Sequence, residues 1–375
     1  MSAESFNRAA PYRRVALIGC GLIGGSLGIR LRERRLAGEI TGFDRDNQSL
    51  NLAVECGAVD RAASSAREAV QGAELVILAV PVLSIAGLVG EIAPALEQGA
   101  VVTDAGSTKS GVMRQVALLL PPGTYFIGGH PMAGSEESGM RGADPALLEN
   151  AIYVLTPGRD VPKEVVERLF ALLEAAGAQP LLLDAEIHDR LVASISHLPH
   201  LMAVALVVCA SRMGETEMIK TLAAGGFRDT TRVALGNPKI WRDICISNRH
   251  HLMEAVASLE EVIAEMKGLL RQADGAALEQ FFNEARDFRR TVPHRGRGIL
   301  PELFEVVALV PDTPGVIGRL AGLLGEAGIN IASIEILHVR ELEGGSIRLG
   351  FRHREQQEAA LAALKEHGFR VHRRN

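Results

Sequence analysis

Short apolar runs alternate with amphipathic stretches through the first half of the chain. RVALIG (14–19), EITGFD (39–44), AELVILAVP (73–81), GAVVTDAG (99–106), TYFIGG (124–129), AIYVLTP (151–157) and AQPLLLD (178–184) read as strands. LGIRLRERRL (27–36) reads as the helix after the first of them. Strands alternating with helices mark βαβ units, so the pattern predicts a parallel sheet covered by helices. From Ala185 to about Val292 strand patterning stops. HHLMEAVASLEEVIAEMKGLL (250–270) spaces its apolar residues three and four apart, the period of an amphipathic helix, and the whole region is predicted helical. TVPHRGRGILPE (291–302) combines Pro, Gly and Arg as linkers do. Beyond it, LFEVVALV, INIASIEILHVRE, GSIRLGFRH and FRVHRR read as strands, with VIGRLAGLLGEAG and EQQEAALAALKEH as helices. That order, βαββαβ, is a split-βαβ sandwich.

Composition narrows the class. A chain of 375 residues with 47% apolar residues has material for two or three domain cores. Its net charge of −5 is spread without a long basic stretch, which leaves nucleic-acid binding without support. The 4 cysteines form no CxxC pair, a usage that fits a reducing compartment. The longest apolar run, Leu201 to Ala210, is far short of the about 20 residues of a membrane span, so it is expected to be a buried helix. The N-terminal residues lack the apolar middle of a secretory signal. The expected location is cytoplasmic, with no membrane partner.

The first strand runs directly into chemistry. VALIGCGLIGGSLG places Gly19, Gly21 and Gly24 in G-x-G-x-x-G order between a strand and a helix. Such glycines permit a tight turn, backbone approach to a pyrophosphate, and close helix–sheet contact at a helix N-terminus that favours anions. Asp44 follows at the end of the second strand, where a carboxylate bonds a ribose 2′-hydroxyl and repels a 2′-phosphate. Arg45 beside it complicates that preference. Leu22 and Ile23 in the turn, and Val80 and Pro81 after a later strand, complete the candidate cofactor set. The reading is an α/β Rossmann domain over 13–185 that binds NAD. An all-helical substrate and dimerisation domain follows over 186–292, then a linker over 293–303 and an α+β domain over 304–375.

Ligands of such sheets bind at the carboxyl ends of the strands. DAGSTK (104–109) and GGHPMAGSEESG (128–139) both follow strands, so Ser107 and His130 belong on the cofactor edge. A histidine there can take a hydroxyl proton while hydride leaves the same carbon. On spacing alone a loop histidine bonded to backbone fits equally well. Asp104 and Lys109 read as braces of the loop. GGFRDTTRVALGNPKIWRDI (225–244) sets Arg228 and Arg232 one i,i+4 step apart, an arrangement suited to carboxylates or to a solvated helix face. SISHLPH (194–200) puts His197 and His200 on one face, with Pro199 between them to kink the helix. A metal site, a pair of core histidines and a pocket wall all remain open.

GxGxxG with Asp44, DAGSTK, GGHPMAGSEESG, SHLPH and GGFRDTTR…WRD, in that order, resemble the prephenate and arogenate dehydrogenases of tyrosine biosynthesis. The tail VPDTPGVIGRLAGLLGEAGINIASIEI resembles an ACT domain, a small amino-acid-sensing module. The resemblance implies NAD-dependent oxidative decarboxylation of prephenate, with arogenate as the alternative substrate. It implies that His130 is the base, that Ser107 bonds His130 and the substrate hydroxyl, and that Arg232 binds the ring carboxylate. His197, His200 and Arg228 would line the pocket, Arg228 standing where relatives often carry lysine. Gly225 and Trp241 would shape it, with Ser135 and Glu136 at its entrance. No metal is required. Asp312, Asn330 and Ile331 would lie near an amino-acid effector, for which tyrosine is the first candidate, and the chain would be a homodimer. Two other readings stay open. A hydroxyacid dehydrogenase would want a lysine base on the helical domain, and a non-enzymatic NAD and amino-acid sensor would leave His130, Ser107 and Arg232 without a task.

Overall fold

The computed structural model describes residues 12–134, 139–292, 303–311, 313–337 and 345–374. Contacts divide the chain into two units, residues 1–298 and 299–375. The predicted linker lies, Leu303 excepted, outside the described residues.

The first unit is built on β1 (Tyr12–Ile18), β2 (Ala37–Phe43), β3 (Arg61–Ala62), β4 (Leu75–Leu78), β5 (Val101–Asp104), β6 (Tyr125–Pro131), β7 (Ile152–Pro157) and β8 (Gln179–Leu182). They form one sheet in the order β3-β2-β1-β4-β5-β6-β7-β8. The order reverses between β1 and β4, the switch point where open α/β sheets bind ligands. Its helices are α1 (Leu22–Glu33), α2 (Asn47–Glu55), α3 (Ala66–Val70), α4 (Ile85–Ile92), α5 (Ser110–Val116) and α6 (Lys163–Ala175). Helices on both faces explain why the strands are runs rather than alternations. Leu17, Leu75 and Ile77 pack into one apolar cluster, and Ala16, Ile18 and Val76 into another.

The sheet is not wholly parallel as the pattern predicts. β7 runs antiparallel to β6, pairing Gly129 with Leu155 and His130 with Val154. The described part of the connection between them holds only two short 3-10 turns, Met140–Gly142 and Pro145–Leu148, and no crossover helix. A parallel return needs such a crossover. Parallel order resumes at β8 after α6.

The helices α7 (Ala185–Val192), α8 (Leu198–Ser211), α9 (Thr216–Leu222), α10 (Gly225–Thr231), α11 (Pro238–Ser247), α12 (Arg249–Gln272) and α13 (Gly275–Thr291) complete the unit. Between α7 and α8 the backbone widens into a π turn over Ala193–His197. Pro199, with no N–H to give and a ring that crowds the preceding turn, sits at the start of α8, where its missing donor costs least. The expectation that Leu201–Ala210 is buried fails in the single chain. Only His200 and Ala203 of α8 are buried, while Leu206 and Val207 are 45% and 37% exposed. The run Ala185–Ser211 is also long and apolar enough, by length and composition alone, to cross a membrane. Its polar residues argue otherwise, because Asp189 on that run accepts hydrogen bonds from backbone amides at the start of α5.

The second unit contains β9 (Phe304–Val310), α14 (Val316–Glu326), β10 (Ser333–Leu337), β11 (Gly345–Phe351), α15 (Arg354–Glu366) and β12 (Arg370–Arg374). Its antiparallel sheet has the order β10-β11-β9-β12. Leu320 and Leu324 of α14 and Ala360 and Leu364 of α15 close over Val306, Ala308 and Leu349. This is the predicted βαββαβ sandwich.

Candidate active site

Gly19 turns out of β1 with φ +95, a conformation L side chains rarely adopt, and a Cβ there would overlap the Ala79 carbonyl. A Cβ on Gly24 would run into the Gly19 carbonyl, so Gly24 is what lets α1 start so close to the strand. A Cβ on Gly21 meets nothing within 4 Å, which leaves open space where a phosphate would lie. Gly21 caps α1 without a side-chain hydrogen bond, so the helix opens toward that space with its amides uncapped by side chains. Asp44 is fixed at the end of β2, its Oδ2 accepting from Cys20 N at 2.7 Å and its Oδ1 from Asp46 N at 2.8 Å. Lone pairs remain for ribose hydroxyls. Arg45 and Pro81 are exposed, and Leu22, Ile23 and Val80 half-buried along the same edge. The residues fit a dinucleotide.

The ends of β5 and β6 are tied together by a fully buried ion pair. Lys109 Nζ bonds Asp104 Oδ2 and donates to the Gly129 carbonyl at 2.7 Å. Asp104 also accepts from Gly106 N at 2.8 Å and Gly129 N at 3.0 Å. Two charges in the interior are costly, and removing one partner of such a pair typically costs roughly 3–5 kcal/mol. Here the pair fixes the backbone on either side of Ser107 and immediately before His130.

His130 is half-buried at the end of β6. Its Nδ1 lies 2.8 Å from His188 Nε2, and His188 Nδ1 lies 2.8 Å from Asp189 Oδ1. Asp189 is held in turn by the Lys109 and Ser110 amides, at 2.7 and 2.8 Å. These donors, with His188, keep its carboxyl below the usual range against the opposing effect of burial. Burial first, then the neighbouring His188, Lys109 and His197, hold the His130 imidazolium well below the ordinary histidine value. The ring is therefore a neutral base at pH 7. Ser107 is half-buried in the adjacent loop and makes no hydrogen bond to His130. Nδ1 faces His188 instead, a neighbour that the sequence reading missed.

The second histidine pair lies along the same network. Asn248 Nδ2 donates to the Asp189 carbonyl at 2.7 Å and lies 3.2 Å from His197 Nδ1, while Asn248 Oδ1 faces His251 Nδ1 at 3.1 Å. Burial pushes His197 down to about 4. His200 stacks on Trp241 with ring centres 3.4 Å apart, and His197 meets the same indole edge-on at 6.2 Å. Burial lowers His200 as well, and its Nδ1 is buried with no partner among the described residues. The 3-10 turn Arg232–Leu235 packs on α8, and α11 packs on the Val82–Ser84 turn after β4. His130, His197, His200, Trp241 and the turn that starts at Arg232 are therefore linked through direct contacts. Arg228 and Gly225 stand exposed on α10, which also packs on α8. Ser135 and Glu136 lie outside the described residues. Among the described residues no three His, Cys, Asp or Glu side chains converge as metal ligands do.

In the second unit a groove of about 520 Å³ is lined by residues including Pro314, Val316, Arg319, His367 and Phe369. Asn330, exposed, and Ile331, half-buried, lie outside its lining, and Asp312 is not among the described residues.

A Rossmann sheet with a glycine turn at its switch point, and a neutral histidine on the same edge closed off by a helical domain, defines the nucleotide-dependent dehydrogenase class. Family models agree in detail: prephenate dehydrogenase, nucleotide-binding domain, over residues 27–182; prephenate dehydrogenase, dimerization domain, over 184–284; and ACT domain over 304–369. The prephenate dehydrogenase of Bacillus subtilis is 35% identical over 353 residues, covering 94% of this chain and 95% of that protein. A crystal structure of the A. aeolicus prephenate dehydrogenase, in complex with hydroxyphenyl propionate and NAD+, superposes with a TM-score of 0.71 at 29% identity, covering 77% of this chain and 100% of that one. The Synechocystis arogenate dehydrogenase gives 0.65 at 31% identity, covering 74% and 99%. The chain belongs to the prephenate dehydrogenase family and carries a C-terminal ACT domain.

Proposed function

We propose that the chain catalyses the NAD-dependent oxidative decarboxylation of prephenate to 4-hydroxyphenylpyruvate, as a homodimer regulated by an amino acid through the ACT domain. The observation that carries the reaction is His130, a neutral imidazole at the end of a strand in the sheet that carries the glycine turn. Gly19, Gly21, Gly24 and the start of α1 would hold the pyrophosphate and Asp44 the adenosine ribose, with Leu22, Ile23, Arg45, Val80 and Pro81 around them. NAD, when bound, accepts the hydride of the carbinol carbon.

His130 Nε2 takes the proton of the ring hydroxyl as that hydride leaves, which turns the carbinol into a carbonyl vinylogous to the ring carboxylate. The bond to the carboxylate then breaks, its electron pair enters the ring, and carbon dioxide departs. The imidazolium returns its proton to the phenolate oxygen. Ser107 orients the hydroxyl. Arg232 anchors the ring carboxylate with Arg228 nearby, because a guanidinium fork matches a carboxylate. His200 and His197 face the side chain of the substrate, Trp241 and Gly225 shape the pocket, and Ser135 and Glu136 stand at its entrance. General-base catalysis contributes about 10²–10⁴-fold, so His130→Gln is expected to cut kcat by at least about a hundredfold while NAD still binds. A folded variant with undiminished kcat would remove His130 from the mechanism.

The ACT ligand is proposed to be tyrosine or another amino acid that lowers activity, held near Asp312, Asn330 and Ile331. Unchanged turnover and no binding with every candidate amino acid would contradict this. Arogenate is the alternative substrate, and the likeness to an arogenate dehydrogenase favours testing both.

A further inference from the structure

We propose that His188, backed by Asp189, is the positioning residue that fixes the tautomer of His130, so that the ring presents a lone pair at Nε2 to the substrate hydroxyl. The inference rests on the reading of His130 as the base. The Asp189 carboxylate is an acceptor only, and two of the hydrogen bonds it receives come from the Lys109 and Ser110 amides. Its contact with His188 Nδ1, at 2.8 Å, therefore requires the hydrogen on that nitrogen. A neutral His188 then has its lone pair on Nε2, which faces His130 Nδ1 at 2.8 Å. The hydrogen of that contact belongs to His130 Nδ1, and His130 Nε2 is left as the acceptor. Which nitrogen of an imidazole is free is set by the bond the other one makes.

The device is rigid. His188 is fully buried and Asp189 nearly so, both on α7, whose start is capped by Asp184. The two rings meet nearly edge to face, with 5.0 Å between centres and 79° between planes. The chain also serves the charged state. When His130 Nε2 takes up the substrate proton, its Nδ1–H stays bonded to His188 and the new charge faces a carboxylate at the far end. The Lys109–Asp104 ion pair and His197 are also near enough to act on the His130 ring. Lys109 opposes the imidazolium, so the favourable counter-charge reaches His130 through His188. A histidine that only filled the core would leave the tautomer of His130 unaffected.

The test compares His188→Leu, which removes the acceptor, with His188→Gln, whose amide oxygen can still accept from His130 Nδ1. His188→Leu is expected to lower kcat about 10²-fold or more with KM for NAD and substrate changed less than about threefold. The acid limb of kcat/KM should move to lower pH, because the His130 imidazolium loses the acceptor that links it to the Asp189 carboxylate. His188→Gln is expected to recover most of kcat. Ring-nitrogen NMR of the unaltered protein carrying isotope-labelled histidine, assigned with His130→Gln, reads the tautomer directly and does not depend on either variant folding. Hydrogen on His130 Nδ1 supports the proposal. Hydrogen on Nε2, or a folded His188→Leu with the wild-type kcat and pH profile, overturns it. The base reading fails separately, if His130→Gln itself remains active.

Discussion

At the scale of single residues, the proposed choice of NAD turns on Asp44. Its carboxylate is already oriented by two backbone amides, so it discriminates between cofactors by charge as well as by hydrogen bonding. A hydrogen bond to a charged group contributes about 1.5–3 kcal/mol, so Asp44→Ser should raise KM for NAD roughly 10- to 100-fold. Loss of the repelling charge beside Arg45 should also bring NADP into use. Steady-state kinetics with each cofactor check this, and an unaltered NAD preference would contradict the assignment. The glycines and Asp44 were legible in the sequence because their spacing is local to one βαβ unit. His188 was not, because it meets His130 across 58 residues and nothing in the segment DAEIHDR reports that meeting. The stack of His200 on Trp241 was hidden for the same reason. Asn248 carries no signal beyond a polar residue between two helices.

At the scale of elements, periodicity identified the strands and helices and the order of the small sandwich. It could not give the direction of β7, which depends on whether a crossover helix connects it to β6. Pro199 announced a break in the helix, and the break takes the form of a π turn over Ala193–His197. That turn has a consequence for stability. His197 is held down to about 4 and His130 well below its ordinary value, so both rings stay neutral in the fold where an unfolded chain takes up protons. The contribution of these rings to stability is complete above pH 6.5 and falls as pH drops toward 4, because the unfolded state binds more protons. At about 1.4 kcal/mol per pKa unit, the His197 contribution lost is on the order of 3 kcal/mol. The Tm should therefore decline between pH 7 and 4.5 more steeply in the wild type than in His197→Gln. Parallel declines would contradict burial of a neutral ring there.

At the scale of the whole molecule, one chain leaves a large apolar surface uncovered. Met253, Phe282 and Phe288 are 67%, 59% and 73% exposed on α12 and α13, and α12 packs on α8, which carries exposed apolar side chains of its own. Surface of this kind marks an interface. Analytical ultracentrifugation should find a species of twice the 40.1 kDa chain mass. A monomer at micromolar concentration would contradict the dimer. The fold class was legible because three different patterns follow one another along the chain. The exposure of α8 was not, since it depends on which distant helices pack against it. The most direct measurement of the central claim is NADH formation by the purified chain given prephenate or arogenate with NAD or NADP. The account predicts turnover with prephenate and NAD above the other three combinations. Silence in all four, with NAD still bound, would contradict it and return the chain to the reading of a sensor.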